Sequence, residues 1–280
     1  MRPLLALIDR YYVKKPLLRE AVTRALTPER DEDVMLFRRR VRINTIKENG
    51  YYRASRRAQA LSLFRDEAAA LQNLMLFARP RMTFVDVGAN VGIFSVMMAS
   101  VARLYPEFDV VAFEAHPGTH ARLAVNAERH GFATHNVALG TAAGQVVFVE
   151  GAVSHVTTTV PQMNAYNIPS RRFEAETRRL DSFAFDKPLF LKIDVEGQEL
   201  DVLEGARALF DAGQVDAVFV DGCVDRRAAR DFLADRGFIL MHGLTLRSPE
   251  EPVTLLALRP EAYPEVRGAI PVQPDSAEIN

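Results

Sequence analysis

The sequence predicts an α/β protein built on a doubly wound, mostly parallel sheet. Short apolar runs that end in an acidic residue recur at Asp86, Glu114 and Asp194, and a helical pattern of apolar residues follows each run. Such alternation of strand and helix is typical of a parallel sheet covered by helices on both faces. The turn after the first run contains Gly88 and Gly92. A glycine turn between a buried strand and a helix indicates a ligand crevice at the carboxyl edge of the sheet.

The first 80 residues are predicted to form an N-terminal extension of helices and a hairpin. Residues 1–40 are expected to form short helices, because apolar residues recur there at helical spacing between prolines. Residues 41–53 alternate in polarity and contain Asn49-Gly50, which is typical of a β-hairpin. A helix is predicted at about 60–78.

The core domain is predicted over residues 81–260. Its strands are expected at about 82–87, 109–114, 134–139, 189–195, 215–221, 237–242 and 253–258, and its helices at about 92–104, 118–130, 199–211 and 225–235. Between 144 and 180 short alternating stretches replace the helical pattern, which predicts a β-rich insertion over the carboxyl edge of the sheet. The segment 261–280 contains several prolines and little periodicity, so a loose C-terminal tail is expected.

The charge is close to balanced overall but unevenly distributed. The 280 residues carry a formal charge of −1, which provides no general attraction to nucleic acid. Residues 1–81 hold 18 Lys and Arg against 9 Asp and Glu, whereas the remainder holds 17 against 27. The basic N-terminal region could contact an acidic glycan, a lipid-linked carrier or a membrane surface. The favoured explanation of this basic excess is that the charges lie on ordinary solvent-exposed helix faces. The chain could also form an oligomer.

The cysteine content and the N-terminal residues favour a cytoplasmic protein. Cys223 is the sole cysteine, which excludes an internal disulfide. The apolar run near the N-terminus is broken by Asp9 and Arg10, so it is too short for a signal peptide or a membrane span. The sequence contains no pattern typical of a zinc site, and no metal is expected.

The glycine turn favours a nucleoside ligand that lacks a pyrophosphate. It reads Gly-Ala-Asn-Val-Gly and does not match the dinucleotide fingerprint Gly-x-Gly-x-x-Gly, which argues against an NAD-dependent oxidoreductase. Glu114 follows Gly92 by 22 residues at the end of the next strand. An acid at that spacing is placed to accept hydrogen bonds from ribose hydroxyls.

Five motifs in order resemble the FkbM family of S-adenosylmethionine-dependent methyltransferases. They are FVDVGANVGIFS at 84–95, FEAHP at 113–117, NVALG at 136–140, RRLDSF at 178–183 and LKIDVEGQELDVLEGA at 191–206. Ala115 departs from the family, which commonly has proline there. The resemblance implies a Rossmann-like class I methyltransferase fold, whose sheet has seven strands with the last one antiparallel.

The resemblance also implies S-adenosyl-L-methionine as the cofactor. Its methionine and ribose portion would lie against Asp86, Gly88, Asn90 and Gly92, and Glu114 would hold the ribose diol. The remaining residues expected to contact the cofactor are His116 beside the adenosine, Ala138 on the adenine side, and Asp194.

The predicted function is O-methylation of a hydroxyl on a sugar, a glycan or a related secondary metabolite, by in-line methyl transfer. A hydroxyl oxygen is a poor nucleophile until its proton leaves, so a general base is needed. Asp194 and Glu196 follow the same strand and are the preferred candidates, and His155 in a polar loop is the third. Lys192 on the same strand is expected to pair with Asp86 or Glu114, because a buried ammonium needs a partner.

Three alternatives remain open at this point. Asp194 could serve only in cofactor binding, with Glu196 capping the next helix. Asp194 and Asp221, at the ends of neighbouring strands, could share a divalent cation that lowers the pKa of the acceptor. Finally, the chain could be a non-catalytic protein that binds an adenosyl ligand.

Overall fold

The computed structural model describes residues 24–25, 27–56, 62–151, 157–158, 169–195, 197–222, 226–247 and 254–267. The strands are β1 (Asp31–Leu36), β2 (Arg39–Asn44), β3 (Thr83–Val87), β4 (Asp109–Phe113), β5 (Ala133–His135), β6 (Ala138–Leu139), β7 (Gly144–Gly151), β8 (Thr157–Thr158), β9 (Pro169–Arg178), β10 (Leu189–Ile193), β11 (Val215–Val220), β12 (Ile239–His242) and β13 (Leu255–Leu258). The helices are α1 (Asn49–Arg56), α2 (Ser62–Phe77), α3 (Ile93–Val101), α4 (Pro117–His130), α5 (Glu199–Gly205), α6 (Arg207–Asp211) and α7 (Arg226–Ala234).

Seven of these strands form the central sheet within the described part of the chain, in the order β12-β13-β11-β10-β3-β4-β5. The pairs from β11 through β10, β3 and β4 to β5 are parallel, whereas β13 is antiparallel to both β11 and β12. The structure therefore confirms the doubly wound fold and the antiparallel last strand.

Apolar side chains cover both faces of the central strands, which explains why those strands are continuous apolar runs. One face carries Val85 and Leu191 and packs against apolar residues of α5, α6 and α7. The other face carries Phe84 and Phe190, whose rings meet edge to face, and packs against α2 and α3. The helices on both sides hold the carboxyl ends of the strands at one edge of the sheet.

The N-terminal hairpin lies at a different place from the predicted one. The segment 31–44 forms it, as β1 paired antiparallel with β2, and Phe37 and Arg38 occupy the turn with φ of 47° and 63°. The expectation of short helices over residues 1–40 is wrong for residues 31–40, which belong to this hairpin, and residues 1–23 lie outside the described part of the chain. The expected turn at Asn49-Gly50 is also wrong, since Asn49 begins α1. The actual turn lacks the usual Asn-Gly signal and depends on burial of alternate apolar residues in both strands.

The hairpin is docked onto α3 and α4, beside the central sheet. Val34 and Ile43 pack against Val91 and Ile93 in one apolar cluster. Buried Asn126 of α4 adds polar contacts: its Oδ1 accepts from the Arg42 amide at 2.7 Å, and its Nδ2 donates to the Val91 carbonyl at 2.8 Å. These contacts attach residues 31–44 to the helices that cover the central sheet.

The insertion is rich in strands, as predicted. Its strands β7, β8 and β9 join β6 in a second sheet, with the order β6-β9-β7-β8 among the described residues. The predicted strand at 134–139 is divided, because β5 belongs to the central sheet and β6 to the second one. The predicted helix at 199–211 is likewise two helices, α5 and α6.

The beginning of the C-terminal segment is packed against the core, so the expected loose tail is wrong for residues 261–267. The Tyr263 side chain is fully buried, and its hydroxyl donates to the Phe77 carbonyl at 2.7 Å. The Arg79 guanidinium lies 4.4 Å from the centre of its ring. Residues 268–280 lie outside the described part of the chain. No helix among the described residues is long and apolar enough to cross a membrane.

Candidate functional site

A cavity of about 860 Å³ opens at the carboxyl edge of the central sheet. Its volume lies toward the upper end of the range for small-molecule sites, which is about 300–1,000 Å³. One end lies over β3, β4 and the segment that follows β5, and the other end lies over β10, β11 and β12. The two ends differ in the polar groups that they present.

The glycine turn after β3 supplies the floor at the first end. Gly88 has φ of 72°, and a Cβ at this position would lie 1.9 Å from the Asp194 carbonyl oxygen, so the approach of β3 and β10 requires glycine. Asn90 also has positive φ, at 52°. Its Oδ1 is buried and accepts no hydrogen bond from the described residues, which leaves an acceptor available beside the cavity.

Gly92 and Asp86 support this turn from outside the cavity lining. Gly92 precedes α3 with φ of 82°, and a Cβ there would lie 2.5 Å from the Leu123 side chain. Asp86 is fully buried, and its Oδ2 accepts from the amide and hydroxyl of Ser95 at 3.1 and 2.7 Å. Both residues therefore shape the site without facing its interior.

Glu114 presents a fixed carboxylate at the same end. Its Oε2 accepts from the Asn90 amide at 2.9 Å, and its Oε1 accepts from the His116 amide at 2.8 Å. Burial raises its pKa to about 7, although both amides favour the ionised form. Each oxygen retains the capacity to accept a further hydrogen bond from a ligand.

His116 and Ala138 complete this end. The Nδ1 of His116 accepts from the Thr119 amide at 3.1 Å and so caps α4. Its ring meets Phe173 of the second sheet edge to face, with centroids 4.7 Å apart. Ala138 is buried at the start of β6 and lines the cavity beside them. Phe148 of β7 also lines it, so the β-rich insertion forms part of this wall.

An ion-pair cluster marks the boundary between the two ends. The Lys192 ammonium is 2% exposed and lies 3.1 Å from Asp86 Oδ1 and 3.4 Å from Asp194 Oδ2, which confirms the predicted pairing with Asp86. Burial alone would lower the pKa of Lys192, but the two carboxylates outweigh it and raise that pKa. Burial also raises the pKa of Asp194, against the opposing effect of Lys192.

Apart from Asp221, the polar residues of the second end are ones that sequence analysis did not place in the site. The Tyr51 hydroxyl of α1 donates to Glu67 Oε1 of α2 at 3.0 Å, and both side chains line the cavity. Thr254 donates to Asp221 Oδ1 at 2.9 Å. His242 ends β12, and its Nδ1 accepts from the Leu244 amide at 3.1 Å.

These residues were missed because no local motif marks them. Tyr51 and Glu67 belong to the N-terminal extension, and only the docking of that extension brings them to the sheet edge. The sole sequence signal for Glu67 is its position at one end of the apolar stretch in α2. Many surface helices have an acidic residue in such a position.

The structure brings most of the predicted cofactor-binding residues to one cavity. The residues that line it are Gly88, Asn90, Glu114, His116, Ala138 and Asp194. Two predicted bases, His155 and Glu196, lie outside the described part of the chain. Among the described residues, no group of three or more His, Cys, Asp and Glu side chains is placed to hold a metal ion.

Comparison with known proteins gives a consistent result. Residues 86–240, more than half of the chain, match the profile of the family described as Methyltransferase FkbM domain. Methyltransferase 1 of Beauveria bassiana (strain ARSEF 2860) is 30% identical over 182 residues, which cover 55% of this chain and 71% of that protein.

Solved structures resemble the chain at lower identity. Methyltransferase FkbM from Methylobacillus flagellatus KT is 19% identical with a TM-score of 0.43, and the match covers 63% of this chain and 43% of that one. The chain thus matches less than half the length of that protein. The O-methyltransferase from Bacillus cereus, solved in complex with SAH, is 12% identical with a TM-score of 0.38, over 77% of this chain and 90% of that one.

Proposed function

The chain belongs to the FkbM family of methyltransferases, and from this premise we propose that it is an S-adenosylmethionine-dependent O-methyltransferase. Its acceptor is a hydroxyl of a sugar, a glycan or a related secondary metabolite. The sugar or glycan preference rests on the family resemblance and on the excess of basic residues in positions 1–81.

The observation that carries the proposal is the placement of Glu114. Its carboxylate is fixed by two backbone amides at the carboxyl end of β4, inside the cavity and next to the glycine turn. That arrangement suits a ribose diol, which offers two hydroxyl donors. The buried Asn90 Oδ1, which accepts no hydrogen bond from the described residues, adds an acceptor for a donor group of the same ligand.

S-adenosylmethionine supplies a methyl group that is already activated by its positive sulfur, so the protein mainly has to align the acceptor and exclude water. Alignment of this kind can lower a barrier by about 7–11 kcal/mol. Asp194 lines the cavity with its charge shared with Lys192.

An alcohol acceptor also needs a group that takes its proton. The second end of the cavity offers the carboxylates of Asp194, Asp221 and Glu67 for this purpose. Of the bases expected from the sequence, Asp194 is the one that the structure describes. Carboxylate assistance is therefore part of the proposed mechanism.

Two measurements test the proposal. S-adenosylhomocysteine should raise the melting temperature of the protein and NAD should not, because a ligand that binds the native state alone stabilises it. Incubation with carbon-13-methyl-labelled S-adenosylmethionine and an extract of cells lacking the gene should then give a product whose NMR spectrum shows an O-methyl group.

Other outcomes correspond to the alternative functions. A label found on nitrogen or carbon would contradict O-methylation, and stabilisation by the ligand without any labelled product would indicate a non-catalytic binder. Dialysis against a chelator that abolishes turnover, with recovery on addition of Mg²⁺, would favour metal assistance through Asp194 and Asp221.

A further inference from the structure

The second end of the cavity contains a buried carboxylate that the described residues satisfy only in part. Glu67 Oε1 accepts from the Tyr51 hydroxyl at 3.0 Å, whereas Glu67 Oε2 is buried and accepts no hydrogen bond from the described residues. A buried acceptor without a hydrogen-bond partner destabilises the protein. A group of this kind that lines a cavity is suited to receive a donor from a ligand.

Glu67 differs from Asp194 in its electrostatic environment. Asp194 lies 3.4 Å from the Lys192 ammonium, and Lys192 also neutralises Asp86. In the described part of the chain, Glu67 forms no ion pair and has the neutral Tyr51 hydroxyl as its hydrogen-bond partner. A proton is taken up more readily by the carboxylate that has no cation beside it.

We propose that Tyr51 and Glu67 form the subsite for the acceptor hydroxyl, with Glu67 as the base and Tyr51 as a positioning residue. This inference rests on the proposed function and assigns its base. The acceptor oxygen gives its proton to Glu67 Oε2 and a lone pair to the methyl carbon, whose bond to sulfur breaks with both electrons remaining on sulfur. The products are a methyl ether, a neutral thioether and a protonated Glu67.

The charged groups around Glu67 are consistent with this role. Burial raises its pKa to about 7; the Tyr51 hydrogen bond and the Lys192 charge act in the opposite direction. A base works best when its pKa lies near the working pH. Four titratable or charged groups face Glu67: Tyr51 of α1, Lys192 of β10, Asp194 in the loop after β10, and Asp221 after β11. His242 of β12 lines the same cavity.

The test requires no knowledge of the acceptor. Sinefungin resembles S-adenosylmethionine but has a carbon that bears a protonated amine in place of the sulfur and its methyl group. S-adenosylhomocysteine keeps the sulfur and has no group at the methyl position. A carboxylate that faces the methyl position should therefore favour sinefungin, and the ratio of the two dissociation constants, measured by calorimetry, reports the ionisation of that carboxylate.

In the Glu67→Gln variant, we expect the S-adenosylhomocysteine affinity to change less than twofold and the preference for sinefungin to fall roughly tenfold, as expected for the loss of one nearby charge. The wild-type preference should decline as pH falls through about 7, and the variant should lose that dependence. Tyr51→Phe should keep the preference at high pH but move its midpoint to higher pH, because a hydrogen bond that stabilises the carboxylate is removed. A purely structural role would not produce this shift.

Glu128→Gln is the matched control, since Glu128 lies on the exposed side of α4 and should behave as the wild type. An unchanged sinefungin preference and an unchanged pH profile in Glu67→Gln would overturn the assignment. If neither ligand binds the wild-type protein, the proposed function itself fails, and the inference with it.

Discussion

Replacement of Lys192 by methionine should destabilise the fold strongly. Lys192 is 2% exposed and its ammonium lies 3.1 Å from the carboxylate of Asp86, which is fully buried. Methionine fills a similar volume but leaves that carboxylate without its cation. Breaking a buried ion pair from one side costs about 3–5 kcal/mol. Loss of the contact with the Phe94 ring, whose centre lies 4.8 Å from the ammonium, adds about 0.5–2 kcal/mol.

The measurements are urea and thermal unfolding of four proteins: wild type, Lys192→Met, Asp86→Asn and the double variant. For a domain of this size, each kilocalorie lowers the melting temperature by about 2–4 °C, so Lys192→Met should melt on the order of 10 °C below wild type. The double variant should be more stable than the sum of the single effects predicts, because no uncompensated charge remains at this pair. A coupling energy of about 0.5–3 kcal/mol is expected.

Lys187→Met provides the control, because Lys187 pairs with the exposed carboxylate of Asp109. Surface pairs of this kind contribute about 0–1 kcal/mol. If Lys192→Met cost no more than this control, or if the two substitutions at the buried pair were additive, the pair would not be the strong local interaction inferred from its burial.

Three further outcomes follow from the site. Glu114→Ala should weaken S-adenosylhomocysteine binding by about 1–3 kcal/mol, the range for hydrogen bonds to a charged group, as measured by calorimetry. Gly88→Ala should destabilise the protein by at least about 3 kcal/mol in urea unfolding, because its Cβ would lie 1.9 Å from the Asp194 carbonyl oxygen at φ of 72°. Glu67→Gln should gain stability relative to wild type as pH rises from about 5 to 8, since the folded pKa of about 7 exceeds the value of 4.5 expected for an unperturbed glutamate. Across this window the folded wild-type protein holds a proton on Glu67 that the unfolded chain releases. The stability of the wild-type protein therefore falls as pH rises.

Each outcome has an internal comparison. Gly131→Ala, at φ of 79° with no atom within 4 Å of its Cβ, should show the conformational cost alone. The pH comparison uses the difference between Glu67→Gln and wild type, because burial lowers the pKa of His120 and His135 in both proteins and gives an opposing trend. Unchanged ligand affinity in Glu114→Ala would rule out its contact with the ribose. Equal costs at Gly88 and Gly131 would rule out a special packing requirement at Gly88.

The central sheet was predictable because both of its faces are buried. Strands such as β3 and β10 must then be continuous apolar runs, and the acids at their ends mark the carboxyl edge where ligands bind. The first end of the cavity was also predictable, because Gly88 and Glu114 act through backbone geometry that the local sequence determines.

The N-terminal region was less predictable because its structure depends on contacts that are distant in sequence. The hairpin turn at Phe37 and Arg38 carries no turn signal, and the hairpin is held by Asn126, 84 positions from Arg42. The second end of the cavity depends on the docking of residues in the N-terminal extension, so Tyr51 and Glu67 could not be assigned from local patterns.

The two ends of the cavity also differ in where they come from along the chain. The segment that matches the family profile begins at Asp86 and ends at Leu240, whereas Tyr51 and Glu67 precede it and Thr254 follows it. On the proposed function, the residues assigned to the donor therefore lie within the shared domain, and much of the facing wall comes from flanking sequence. Such modularity would let evolution, or an engineer who exchanges residues 27–77 between relatives, alter acceptor choice while the donor pocket is inherited intact.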